Sequence, residues 1–191
     1  MCVLIIKRAG IELPSDKILK MCHDANSDGC GFSTSTTLFK SLDFESFKRN
    51  LKKYVKIEDD CIIHFRLATH GSVKVENCHP FLDKENGVVF AHNGILPIKS
   101  KDDMTDSEIY FRKMLIPVIK ENGLGEIVDE FIESTIGCSK FAILTKNGVK
   151  SYGHFYKTKG CECEFSNLRW DILTSYDIYK RKYSDFYALK Y

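Results

Sequence analysis

Apolar positions along this chain fall in short runs that switch between a strand-like and a helix-like period. Val3-Leu4-Ile5-Ile6 is a β-branched and aliphatic run of the kind that forms a buried strand, interrupted by Lys7 and Arg8. Leu13-Pro14-Ser15-Asp16 reads as a helix entry with an acidic first turn; Ile18, Leu19, Cys22 and Ala25 then share a face, which predicts an amphipathic helix from Ser15 to about Asn26. Asn26-Ser27-Asp28-Gly29-Cys30-Gly31 closes that helix and opens a second strand. Glycines so placed suggest a positive φ or a close backbone approach, or else a plain helix stop and turn. Thr36-Thr37-Leu38-Phe39 reads as another strand, and Asp43 to Tyr54 as a helix with Phe44, Phe47, Leu51 and Tyr54 inward and its lysines outward.

Two further strands are predicted at Cys61 to Arg66 and at Val88 to His92, the latter running into Asn93-Gly94. A helical pattern from Asp106 to Lys120 contains Pro117, which is expected to kink or divide it. Leu124, Ile127, Val128, Phe131 and Ile132 mark another helix, ended by Gly137. Phe141-Ala142-Ile143-Leu144, Lys146-Asn147-Gly148 and Val149-Lys150-Ser151-Tyr152 have the strand, turn and strand chemistry of a hairpin. Short strands around Glu164 to Asn167 and Trp170 to Thr174 are expected to complete a sheet. The expectation is a compact mixed fold, rich in strands, with helices packed against sheets.

Composition narrows the class. A chain of 191 residues is expected to form one domain spanning residues 1–191, burying about 70 % of its unfolded surface without disulfides or metals. The net charge of +2 argues for no nucleic acid or other polyanionic partner. With no apolar run of about 18 residues and no signal-peptide pattern, the expectation is a soluble, cytoplasmic protein with no membrane association. The eight cysteines read as reduced. Cys161-Glu162-Cys163 is too closely spaced for a common zinc site and reads as one structural face of a strand, so no metal is expected.

Cys2 changes the picture. A small second residue permits removal of Met1, after which Cys2 carries a thiol nucleophile and a free α-amine base in one residue. Their ordinary pKa values of roughly 8.5 and 8 let a proton pass between them near neutrality. The plain alternative is a buried small hydrophobe. Three later stretches add polar groups at strand ends or a helix start. Arg66, leaving a strand in His64-Phe65-Arg66-Leu67-Ala68-Thr69-His70-Gly71, suits a carboxylate, or a surface acid. Asn93-Gly94 could donate to an oxyanion, or be a hairpin turn. Asp106, in Thr105-Asp106-Ser107-Glu108, could hold an ammonium group, or be a helix cap. Together with Cys2 they suggest a thiol, an oxyanion hole, and clamps for both ends of an amino acid.

In that order, with Asp28-Gly29-Cys30-Gly31, Cys78-His79-Pro80-Phe81 and Phe165-Ser166-Asn167 between and after them, these stretches make the chain resemble the class II glutamine amidotransferases, members of the N-terminal nucleophile hydrolases. The resemblance implies an α+β fold: a four-layer αββα sandwich of two mainly antiparallel sheets between helices. It implies that Cys2 attacks the glutamine side-chain amide and forms a thioester. Asn93 and Gly94 would hold the oxyanion, Arg66 the α-carboxylate and Asp106 the α-ammonium, with Thr69 and His70 lining the pocket and no cofactor required. Two departures stand out. Leu67 follows the arginine where the family often has an aromatic residue, and Ile95-Leu96-Pro97-Ile98 lacks the asparagine found in amino-sugar-forming members.

The resembling region is expected to take up the whole chain, with no acceptor-activating domain, and the sequence shows no phosphate-binding loop. Ammonia released from glutamine would go to a separate synthase subunit or to solution. Tyr176, Tyr179, Tyr183, Phe186, Tyr187 and Tyr191, interleaved with Lys180, Arg181 and Lys182, suit either a docking surface or a final element laid on the core. The competing functions are an N-terminal nucleophile amidase acting on another, γ-glutamyl-type amide, and a non-catalytic binding protein that keeps the fold.

Overall fold

The computed structural model describes residues 2–68, 72–101 and 104–171. Thr69, His70, the 172–174 part of the last expected strand and the aromatic C-terminal stretch lie outside the described residues.

Among the described residues ten strands form two antiparallel sheets. The first, in the order β3-β2-β4-β1-β10-β9, is built from β1 (Val3–Lys7), β2 (Cys30–Ser33), β3 (Leu38–Ser41), β4 (Cys61–Phe65), β9 (Tyr156–Thr158) and β10 (Cys161–Phe165). The second, in the order β5-β6-β7-β8, holds β5 (Phe81–Asp83), β6 (Val88–Asn93), β7 (Lys140–Thr145) and β8 (Gly148–Tyr152). Period-two alternation assigns each strand's side chains to two different layers. Val3 and Ile5 of β1, with Ile63 and Phe65 of β4, pack on Leu19 and Cys22 of α1 (Asp16–Ala25) and Phe44, Phe47 and Leu51 of α2 (Phe44–Tyr54). Leu4, Ile6 and Ile62 point the other way, onto Val89 and Ala91 of β6 and Ala142 and Leu144 of β7. The far face of the second sheet, with Phe90, Phe141 and Ile143, is covered by the helical run from Asp106 and by α5 (Glu126–Ile136). Helix, sheet, sheet and helix are thus stacked as an αββα sandwich. Its central strands are buried on both faces, which is why they read as unbroken apolar runs.

Several elements differ in detail from the sequence reading. Lys7 does not interrupt the first strand but is its last residue: that side chain is fully buried and its ammonium donates to the carbonyls of Lys56, Ile57 and Asp59 at 2.6–2.7 Å. Thr36 and Thr37 are turn, not strand, because the Thr34 hydroxyl accepts from both their N–H groups. Tyr54 is 43 % exposed at the last turn of α2 rather than inward. The helix carrying Pro117 is divided upstream of the proline: α3 (Asp106–Ile109) and α4 (Ile116–Asn122) flank a π-helical turn over Tyr110–Leu115. Widening that turn accommodates a residue that has no N–H to return to the preceding turn. Trp170 lies in a turn, its indole donating to the Asn167 carbonyl, and packs on Phe165. The cysteines are free, and Cys161 and Cys163 share the buried face of β10 as expected.

Candidate active site

The same alternation gathers the site. Cys2, one residue before β1, shares the parity of Leu4 and Ile6; Arg66, one residue after β4, shares that of Ile62 and His64; Asn93 ends β6 on the face of Val89 and Ala91. All three belong to the inter-sheet face, and the pairing of Val3 with Phe65 puts Cys2 and Arg66 at the same end of neighbouring strands. A cleft there is lined by Cys2, Arg66, Gly94 and Asp106, with Asn77, His79 and His92 among the other walls.

The half-buried Cys2 thiol is held against the chain that follows Arg66: the Leu67 N–H reaches Sγ at 3.4 Å, and Sγ lies 3.6 Å from the Leu67 carbonyl oxygen. Burial pushes the thiol pKa above its ordinary value, while the Leu67 N–H and Arg66 oppose that shift. The Cys2 carbonyl accepts from Asn167 Nδ2 at 2.8 Å.

Arg66 is buried, and its Nη1 donates to the Ser72 carbonyl at 3.1 Å, an acceptor shared with Asn77 Nδ2 at 3.0 Å. Its backbone is fixed by the Asp28-Gly29 turn. Asp28 N–H donates to the Arg66 carbonyl, Arg66 N–H to the Gly29 carbonyl, and Ala68 N–H to Asp28 Oδ2. Both glycine expectations hold here. Gly29 has φ 132° and sits where a β-carbon would come within 2.4 Å of Cys78 Sγ, and a β-carbon on Gly31 would stand 2.3 Å from the His79 carbonyl oxygen. These close approaches press β2 onto the segment that supplies Asn77 and His79 to the cleft.

Gly94 lines the cleft, whereas Asn93 stands behind it, 3 % exposed, with Nδ2 donating to Ser166 Oγ at 2.8 Å and Oδ1 buried without a partner. Ser166 Oγ also accepts from Leu4 N–H at 2.9 Å, so it joins β6 to the central strand of the other sheet. Asp106 is the first residue of α3, which Thr105 caps. Asp106 Oδ1 accepts from Ser107 N–H at 2.7 Å and Oδ2 from Leu96 N–H at 3.0 Å, tying the loop after Gly94 to the helix start.

His79 and His92 of the cleft wall, with His64 behind them, form a row of three buried histidines, the ring centroids of His64 and His79 4.5 Å apart and those of His79 and His92 6.4 Å apart. Burial lowers the pKa of His64 to about 3, that of His92 to about 4 and that of His79 well below 6.5, so all three are neutral at neutral pH. Sequence reasoning left Asn77, His79, His92, Ser107 and Ser166 without roles. His79, His92, Ser107 and Ser166 stand inside the stretches that carry the resemblance and Asn77 directly before one of them, but a histidine inside an apolar strand reads as core and a serine at an element end as ordinary. Among the described residues no group of three or more His, Cys, Asp or Glu side chains is arranged to hold a metal ion, and no helix is long and apolar enough to cross a membrane.

Comparison with known proteins bears on the family and the fold. Residues 41–150, more than half of the chain, match the family model described as glutamine amidotransferases class-II. A Haemophilus influenzae protein provisionally named a glutamine amidotransferase is 36 % identical over an alignment of 96 residues that covers 44 % of this chain and 31 % of that protein. Among solved structures, the glutamine phosphoribosylpyrophosphate amidotransferase from B. subtilis superposes with a TM-score of 0.57 at 20 % identity, over 89 % of this chain and 42 % of that one. A structure described as the allosteric regulatory enzyme of purine biosynthesis superposes with a TM-score of 0.58 at 19 % identity and the same coverage. This chain therefore spans less than half the length of each of these relatives, and the two structural likenesses speak for the fold. With a match across Arg66, Asn93, Gly94 and Asp106 added to that fold, the chain belongs to the class-II glutamine amidotransferases.

Proposed function

We propose that this protein hydrolyses the side-chain amide of glutamine through a thioester on Cys2. The observation that carries the reading is one cleft lined by Cys2, Arg66, Gly94 and Asp106, with Asn93 directly behind. After removal of Met1, the Cys2 α-amine takes the thiol proton and Sγ bonds to the amide carbon. The oxygen of the tetrahedral adduct is held by the Gly94 N–H and Asn93 Nδ2. The amine returns the proton to nitrogen, the C–N bond breaks, and ammonia leaves. Water then attacks the thioester and its proton passes to the amine; the amine returns that proton to Sγ as the C–S bond breaks, and glutamate departs. A thiol whose pKa is raised by burial needs a base beside it, and the α-amine supplies one.

Hydrogen-bond accounting supports the part given to Asn93. With Nδ2 directed at Ser166, Oδ1 has no donor. In the opposite carboxamide orientation the Ser166 hydroxyl donates to Oδ1, its oxygen still accepts from Leu4, and Nδ2 is released for the oxyanion. Arg66 offers a guanidinium for the α-carboxylate, and Asp106 keeps acceptor capacity for the α-ammonium beyond its backbone bonds. Ammonia passes to a separate acceptor enzyme or to solution.

The test is purified protein given glutamine, with glutamate and ammonia followed and Cys2→Ala as control. Intact mass before and after a glutamine-mimicking electrophile reports methionine removal and thiol capture. Retention of Met1, or wild-type turnover no faster than that of Cys2→Ala, overturns the proposal.

A further inference from the structure

The His92 ring is buried at 2 % exposure and is oriented through Ser107. The Asp106 carboxylate only accepts; it takes the Ser107 N–H at 2.7 Å and the Ser107 hydroxyl at 3.2 Å. With its single proton given to the carboxylate in a charge-assisted bond, Ser107 Oγ is left as the acceptor facing His92 Nδ1 at 2.8 Å. Nδ1 therefore carries the imidazole proton, and in a neutral ring Nε2 is then a bare lone pair. Burial, which lowers the pKa of this histidine to about 4, keeps it bare at neutral pH. Nε2 is buried without a hydrogen-bond partner, and His92 is one of the residues that line the cleft with Cys2. It lies 2.9 Å from where a β-carbon on Gly94 would stand, beside the candidate oxyanion donor rather than at the Arg66 end.

We propose that His92 Nε2 accepts an N–H of the substrate's carboxamide, making His92 a specificity residue that selects amides over esters and acids at the reacting carbon. This rests on the reading of the cleft as the glutamine site. A carboxamide brings two N–H donors to that lone pair, an ester brings none, and the carboxylate of glutamate brings only further acceptors. A buried acceptor that loses its donor is what gives hydrogen-bonding sites their discrimination. Asp106 and Ser107 act on the same atom indirectly, as positioning residues that set the tautomer.

The experiment compares kcat/KM for glutamine with that for the γ-methyl ester of glutamate, in wild type, His92→Phe and Ser107→Ala, together with 15N NMR of histidine-labelled wild type. The amide-to-ester ratio is expected to fall at least about tenfold in His92→Phe, through loss on the amide, and to fall less in Ser107→Ala. The NMR is expected to show Nδ1 protonated and Nε2 bare. An unchanged ratio in folded His92→Phe protein, or a proton on Nε2, overturns the proposal. If His92→Phe does not fold, the Ser107→Ala ratio and the tautomer decide. Wild type that cleaves neither compound overturns the glutaminase reading itself, whereas turnover of both with an unshifted ratio overturns only the role given to His92.

Discussion

Asn167 donates its side-chain amide to the Cys2 carbonyl at 2.8 Å, so the segment leaving β10 fixes the backbone of the residue that carries the thiol. Replacing Asn167 by Ala frees that carbonyl while leaving the core packing of Phe165 and Trp170 in place. Turnover of glutamine is expected to drop about tenfold, the rate change of a barrier about 1.4 kcal/mol higher. Iodoacetamide labelling of Cys2, followed by intact mass, is expected to slow in parallel while denaturant stability changes by no more than about 1.5 kcal/mol.

Gly94 admits no side chain. A β-carbon there would stand 2.2 Å from Ser139 Oγ and 2.7 Å from Ser139 Cβ, at a φ of 155°. Gly94→Ala is expected to displace the backbone N–H assigned above to the oxyanion and to cut kcat by a factor of about 100 or more, the scale of losing one oxyanion donor. Pairing it with Ser139→Gly, which opens the space, is expected to recover part of the loss; equal activity in single and double variants would count against a steric cause.

Arg66 is assigned to the α-carboxylate, so its removal should be felt in binding and only by substrates that carry that group. Arg66→Met is expected to raise KM for glutamine at least tenfold, about 1.4 kcal/mol of charge-assisted binding, and to leave hydrolysis of butyramide, which lacks both the α-amino and the α-carboxylate group, nearly unchanged. Steady-state kinetics with the two compounds measures the difference.

The buried histidines make stability depend on pH. Unfolded, each takes up a proton near pH 6.5; folded, His92 refuses it to about pH 4 and His64 to about 3. The unfolded chain therefore holds more protons across that window, and stability falls as pH drops from 6.5 towards 4, by about 1.4 kcal/mol per pH unit for each histidine. Urea denaturation between pH 7 and 5 should show the slope, and His64→Phe should make it shallower by one histidine's share.

Lys7 is as buried as the apolar residues around it, and its three donors meet three carbonyls of the loop after α2. Lys7→Met keeps much of the volume and leaves those carbonyls without their donor. A loss of about 2–4 kcal/mol in thermal or chemical denaturation is expected. Activity per folded molecule should remain.

The residues that were easiest to read are those whose chemistry and periodicity agree. Val3 to Ile6, Cys61 to Phe65 and Val88 to Ala91 announced central strands because both faces are apolar, and Phe44, Phe47 and Leu51 announced α2 by helical spacing. Cys2, Arg66, Gly94 and Asp106 could be picked out because they are polar or special groups at element ends, and the structure brings them to one cleft. Lys7 escaped because a charge at the end of an apolar run reads as solvent, while its partners are carbonyls some 50 residues away that no local pattern reveals. His92 and Ser166 escaped for a related reason. Each looks like ordinary strand or strand-end residue until the other sheet, or α3, supplies the group it bonds.

β1 pairs along one edge with β4 and along the other with β10, whose partner residues lie some 160 positions further on. Among the strands described, β1 is therefore made before all the others and waits longest for its second neighbour. Until β10 has been made, one long apolar edge stays unpaired, and a nascent chain stalled before that point is open to wrong pairing. Completion of the central sheet and delivery of Asn167 to Cys2 come at the same late step, so the thiol gains its fixed surroundings only when synthesis of this region is essentially finished.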